Sequence, residues 1–220
     1  MATSLDLQEQ EQLDELKAFW KQYGNLITWL LIAVLAAYAA WNGWNWYQRD
    51  QGLKAGAMYD ELERAAQTGD ADKAGRVFGD LRQRFPGTAH AAHGGLLAAR
   101  VQFDKGQAEA AQAALAWVAD AGKPEELRTV ARLRLAGLLL EAKKYDEALK
   151  QLDGADAAEF AALVADRRGD VLSAQGKATE ARAAYETAYK TMAEAVEYRR
   201  LIEAKLTALG AAPAASGATQ

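Results

Sequence analysis

The chain has 220 residues, 50% hydrophobic and 25% charged, with a formal net charge of −4. That is enough for one domain of about 150 residues with additions, and the balance offers no basic face for nucleic acid. The absence of cysteine excludes disulfides and thiol catalysis. With only three prolines and frequent alanine between charges, the composition favours helices.

Residues 1–23 form a short acidic segment. Within it, "DLQEQEQLDELKAFWKQY" at 6–23 reads as an amphipathic helix, with Leu13, Leu16, Trp20 and Tyr23 at spacings of three and four. Asp6 and Glu9 make a capping box, and Lys17 and Lys21 close the helix in accord with its dipole. Such a helix suits partner docking, or a helical extension of the segment that follows. Its acidic face argues against simple adsorption to anionic lipid.

Residues 24–47 carry no acidic or basic side chain. From Leu26 to Tyr47 a helix would span about 33 Å, against a hydrocarbon core of about 30 Å. Trp20 and Tyr23 stand before it and Trp41, Trp44, Trp46 and Tyr47 at its end, the grouping a membrane interface selects for amphipathic rings. A transmembrane helix is the reading these residues support. Ala37-Tyr38-Ala39 resembles a signal-peptidase site, but the preceding region is long and acidic where a secretory leader is short and basic. No cysteine follows the apolar run to carry a lipid. Lys17 and Lys21 on one side balance Arg49 and Lys54 on the other, so charge leaves the orientation open.

The remainder, 48–209, repeats. "GDADKAGRVF" at 69–78, "GQAEAAQAAL" at 106–115, "KKYDEALKQL" at 143–152 and "GKATEARAAY" at 176–185 each place a turn residue before an alanine, with a large residue four positions later. The pairs are Ala74 and Phe78, Ala111 and Leu115, Ala148 and Leu152, Ala181 and Tyr185, with the alanines 37, 37 and 33 residues apart. A small residue lets two helices approach, and the bulky one fills the groove to the next pair. One hairpin cannot bury its own apolar face, so hairpins stack. The period resembles the tetratricopeptide repeat of about 34 residues. The family's small packing position falls on Ala99, Ala136 and Gly169, its closing proline on Pro86 alone, and its early tryptophan on none.

The fold class is therefore all-α: one transmembrane helix, then a solenoid of helical hairpins. Punctuation places helices near 51–67, 70–84, 88–104, 107–121, 124–142, 145–152, 157–174, 177–192 and 194–208. Asp70 and Thr88 are caps, and Pro124 stands at a first helical position. The tail at 210–220 has no charge and no large apolar residue, the composition of a disordered segment.

Little here points to catalysis or to a cofactor. His90 and His93, the only histidines, are three apart without cysteine or nearby acids, and read as surface or packing residues rather than metal ligands. No phosphate-cradling glycine pattern or nucleophile elbow occurs. Binding remains as the function. The concave face of a hairpin stack holds peptides or helices, and Tyr59, Phe103, Trp117, Tyr145, Phe160 and Tyr189 are the aromatic residues that could line it, or pack the core instead.

The order of parts, with "DELKAFWKQYGN" at 14–25 leading into the span and "GDADKAGRVFGDLRQRFPGTAHA" at 69–91, resembles the YfgM-like family, ancillary subunits of the bacterial SecYEG translocon. The resemblance implies an inner-membrane protein with a cytoplasmic N-terminus and a periplasmic repeat domain. It implies association with SecYEG and with the periplasmic chaperone PpiD, and a part in handling emerging secreted chains. It carries no catalytic residue. A structural adaptor in another envelope complex, for division or outer-membrane assembly, is the alternative the residues leave open.

Overall fold

The structure, a computed structural model, describes residues 7–211. It divides into two compact units after Asp50. Every regular element among the described residues is helical. The expected capping box of Asp6 and Glu9 lies outside them.

Helix α1 (Leu7–Gln67) belongs to the first unit as far as Asp50 and there carries the apolar run. The large side chains Leu26, Trp29, Leu31, Leu35 and Trp41 are between 54% and 67% exposed. In water, leaving each one uncovered forgoes about 1.5–3 kcal/mol. A soluble core helix of the same composition would be covered by its neighbours, whereas the apolar window here, of mean hydropathy 1.6, is 6% buried. The helix is a candidate membrane span. Two of its polar side chains turn back onto the backbone: Thr28 Oγ1 donates to the Gly24 carbonyl at 2.7 Å and Asn42 Nδ2 to the Tyr38 carbonyl at 2.9 Å. That arrangement hides donors that hydrocarbon could not satisfy.

The sequence leaves residues 6–23 as a separate helix or an extension of the span and starts another helix at 51; α1 is unbroken from Leu7 to Gln67. No proline interrupts it, and an isolated glycine such as Gly24 or Gly52 costs only about 1 kcal/mol, too little to end a long helix.

In the second unit, α1 is followed by α2 (Ala71–Arg84), α3 (Ala89–Asp104), α4 (Ala108–Ala121), α5 (Glu125–Glu141), α6 (Tyr145–Asp153), a 3-10 turn (Ala158–Phe160), α7 (Ala161–Ala174), α8 (Ala178–Thr191) and α9 (Tyr198–Ala208). Asp70 accepts from the Lys73 amide and Thr88 from the Ala91 amide, the caps that the side chains suggest. Pro124 is the N-cap of α5 rather than its first helical residue. The segment expected to be helical from 157 opens with the 3-10 turn, and the one expected from 194 begins at Tyr198.

One turn recurs and sets the register of the stack. Gly69, Gly106, Lys143, Gly176 and Gly210 all adopt positive φ, between 59° and 77°. After each, an amide reaches back five residues: Asp70 to Ala65, Gln107 to Gln102, Lys144 to Leu139, Lys177 to Leu172 and Ala211 to Leu206, at 2.8–3.0 Å. This is the Schellman ending, in which a left-handed residue lets the chain satisfy the last carbonyls of a helix. The first four stand 37, 37 and 33 residues apart, the spacing of the alanines, and Gly210 follows Gly176 by 34. Hence α1 (from residue 51), α3, α5, α7 and α9 are equivalent first helices, and α2, α4, α6 and α8 are their partners. α9 is the opening half of a fifth unit. Gly210 and Ala211, expected to belong to the tail, complete its final turn, and Ala211 is buried; the rest of the expected tail lies outside the described residues.

The core lies between first and second helices. Ala74, Ala111, Ala148 and Ala181 are fully buried, and Phe78, Leu115, Leu152 and Tyr185 nearly so. Gly169 is buried on α7, where an added Cβ would stand 2.4 Å from the Tyr185 ring. The absence of a side chain at Gly169 therefore sets the separation of α7 and α8.

Candidate functional site: an arginine-edged groove

The first helices α3, α5 and α7 lie side by side, and their outer faces form a groove. On α3 the spacing of Leu96, Arg100 and Phe103 puts all three on one face, as does that of Arg134 and Leu138 on α5, with Leu133 beside them. These residues line a cavity of about 450 Å³ that Arg167 of α7 closes on one side. A second cavity shares Leu133, Arg134 and Arg167 with the first and continues past Phe160 and Leu163 to Tyr198 of α9. The groove thus runs across four successive first helices. Phe103, Leu163 and Tyr198 are 36–37% exposed, so the floor is apolar and open. Arg167 lies over Gly137, where an added Cβ would meet its guanidinium at 3.6 Å.

The end of the groove is held by a buried polar cluster. Asp166, 2% exposed, accepts from the Tyr198 hydroxyl at 2.8 Å and from Lys205 Nζ at 2.8 and 2.9 Å. Lys205 also donates to Asp170 at 2.7 Å, which accepts from the Tyr185 hydroxyl at 2.9 Å. One ammonium thus serves two carboxylates and ties α9 to α7. Burial, then the hydrogen bond to Asp170, raises the Tyr185 phenol above its ordinary value; burial and Asp166 do the same to Tyr198. Burial and neighbouring Glu63 raise Tyr59.

Of the six aromatic residues expected on the binding face, Phe103 and Phe160 line the groove. The other four lie elsewhere. Trp117 is on a second helix and sets its edge on Phe78, with centroids 5.5 Å apart. Tyr145 packs against the core from the start of α6. Tyr189, on α8, lies under the Arg199 guanidinium at 4.0 Å. Tyr59 is on a first helix but leans on the core, 5.9 Å from the His90 ring. Aromaticity alone does not distinguish the two faces of a hairpin, because both helices use large residues for packing.

The residues absent from that expectation are Arg100, Arg134, Arg167, Leu133, Leu163 and Tyr198. A signal for two of them was present: Arg134 and Arg167 are 33 apart, the interval from Ala148 to Ala181. The six interface residues expected around the span, Trp20, Tyr23, Trp41, Trp44, Trp46 and Tyr47, are all exposed on α1. His90 is half-buried beside Tyr59 and His93 exposed. Among the described residues no group of three metal-ligating side chains is brought together.

An exposed apolar helix followed by stacked hairpins with an open groove defines a helical-repeat protein with a candidate membrane anchor. The tetratricopeptide repeat-like domain family matches residues 17–211. Relatives named ancillary SecYEG translocon subunit include those of Neisseria gonorrhoeae, 33% identical over 92% of this chain and 98% of the relative, and of Escherichia coli, 30% identical over 83% and 88%. That of Haemophilus influenzae is 26% identical over 84% and 90%. The chain belongs to the YfgM-like family of ancillary SecYEG translocon subunits, the family its sequence resembles.

Proposed function

We propose that this chain is an ancillary, non-catalytic subunit of a bacterial SecYEG translocon. Residues 24–47 hold it in the inner membrane and dock on a translocon partner, with residues 1–23 cytoplasmic and 48–209 periplasmic. Trp41, Trp44, Trp46 and Tyr47 then sit at the periplasmic interface among lipid headgroups, with Trp20 and Tyr23 at the opposite one. The repeat domain receives the chaperone PpiD or secreted chains as they emerge. The observation that carries this reading is the extent of the relationship. The match to the Neisseria protein covers 92% of this chain, so the apolar run and the repeats are shared as one unit. The groove across α3, α5, α7 and α9 supplies a surface of the right kind, since a row of first helices can hold an extended peptide.

The test is purification of the intact chain in mild detergent, beside a version whose residues 24–47 are replaced by an unrelated span. Translocon subunits should accompany the native chain and be lost with the swap. Their absence from both would overturn the proposal, and their retention by the swapped chain would move the docking element out of the span.

A further inference from the structure

The groove has a charge that the chain as a whole does not. The protein carries a net charge of −4, yet Arg100, Arg134 and Arg167 edge the groove against two carboxylates, Glu141 and Asp166. Asp166 is buried and shares the Lys205 ammonium with Asp170, so that lysine offsets one of the two carboxylates and the groove lining keeps an excess of one positive charge. Arg134 is exposed and makes no ion pair among the described residues. Arg100 stands 3.9 Å from Asp104 in a pair exposed on both sides. Arg167 is 3.8 Å from Asp170 Oδ2, a long contact beside the Oδ1 that Lys205 and Tyr185 engage. Three guanidiniums of which none is firmly satisfied thus border an apolar floor of Leu96, Phe103, Leu133, Phe160 and Leu163.

Arginine is suited to this place because its flat, weakly hydrated head packs on apolar surface while offering a forked pair of donors to a carboxylate. The repeat spaces them. Arg134 and Arg167 occupy the same position in successive units, and Arg100 stands one turn along the equivalent face of α3. Neighbouring helices lie about 8–10 Å apart, and an extended chain advances about 6.6 Å for every two residues. The two spacings differ by about 1–3 Å per step, which the long, flexible arginine side chains can take up, so charges on a bound strand can meet successive guanidiniums while the intervening side chains face the floor.

We propose that the groove binds extended peptide segments in which bulky apolar residues are interspersed with Asp or Glu, and discriminates against the same segments carrying Lys. This deepens the reading of the repeat domain as a receiver of unfolded chains or a chaperone segment, and rests on that reading. The occupant is a polypeptide, since the floor is apolar along its length and the charges are spaced rather than clustered.

The test uses the full chain in nanodiscs of zwitterionic lipid and three rhodamine-labelled peptides of about ten residues, the length that spans the row. All carry Leu and Phe at alternate positions; the intervening positions are Asp, Ser or Lys. Fluorescence anisotropy should rank the affinities Asp over Ser over Lys, with Asp about fivefold tighter than Ser at low salt and the gap narrowing as salt rises. Arg134→Glu, exposed and outside the core, should abolish the preference for Asp while leaving the Ser peptide within about twofold, as expected for an exposed charge. Leu163→Asp should weaken all three. Equal binding of the Asp and Lys peptides, with Leu163→Asp still weakening both, would overturn the charge preference and leave the groove as a peptide site. Equal loss of all three peptides in Arg134→Glu would also overturn it, by making the residue structural. Failure of every peptide to bind would overturn the peptide site itself, while translocon association is read separately by the purification above.

Discussion

Replacing Gly169 by alanine tests how the α7–α8 hairpin is packed. An alanine Cβ at this position would stand 2.4 and 2.5 Å from two carbons of the Tyr185 ring, distances no native contact adopts. The ring cannot simply swing away. It is 4% exposed, its hydroxyl is held by Asp170 at 2.9 Å, and the Lys205 ammonium lies 5.3 Å from its centre. Overpacking costs about 2 kcal/mol, and a hydrogen bond to a charged acceptor lost on displacement about 2 more. Against these, alanine regains about 1 kcal/mol of helix propensity. The net is a loss of about 3 kcal/mol, or about 6–12 °C in the melting temperature of a domain this size. Gly79, in the middle of α2, is the control: nothing lies within 4 Å of its added Cβ. Gly79→Ala should raise the melting temperature by about 2–4 °C on propensity alone. Circular dichroism melts of the detergent-solubilised chain read both. If Gly169→Ala melts with or above the parent, the contact does not set the helix separation and the reasoning fails.

Lys143 is the one non-glycine residue at positive φ among the described residues, at 59°, in a turn whose equivalents are glycines. Lys143→Gly should stabilise by about 1 kcal/mol by relieving the left-handed strain on an L-residue, seen as a higher denaturation midpoint; an unchanged or lower midpoint would contradict it. Tyr185 and Tyr198 have phenols raised above the ordinary value of 10.0. Their stabilising contribution is complete below pH 10 and falls as pH rises above it, because the unfolded chain releases these protons first. Ultraviolet difference titration should show Tyr185 and Tyr198, with Tyr59 whose phenol is also raised, ionising late among the eight tyrosines, together with loss of structure. Tyr198→Phe should remove one of them; a late phase of unchanged size would count against the assignment.

The composition, the alanine–bulky pairs and the apolar run were sufficient for an all-α chain with one candidate span and stacked hairpins, because each is a local pattern. Helix periodicity, caps such as Asp70 and turn residues such as Gly106 act within a few residues. The apolar run declares itself by length, since about 20 residues without charge have few other solutions. The continuity of α1 was legible only in part: residues 6–23 read equally as an extension of the span, but the run on past residue 47 did not show, because a change in polarity resembles a boundary when the backbone has no reason to stop. Nor was the groove. Phe103 and Trp117 are alike as residues and equally compatible with a binding face, but they lie on first and second helices, and only the stacking decides which faces a neighbouring unit and which faces outward. The same holds for Asp166. In sequence it is one of many acids, and its burial depends on Lys205 and Tyr198 arriving from α9, 39 and 32 residues away. Local chemistry fixed the helices; the site depends on side chains from separate units, which only packing brings to one surface.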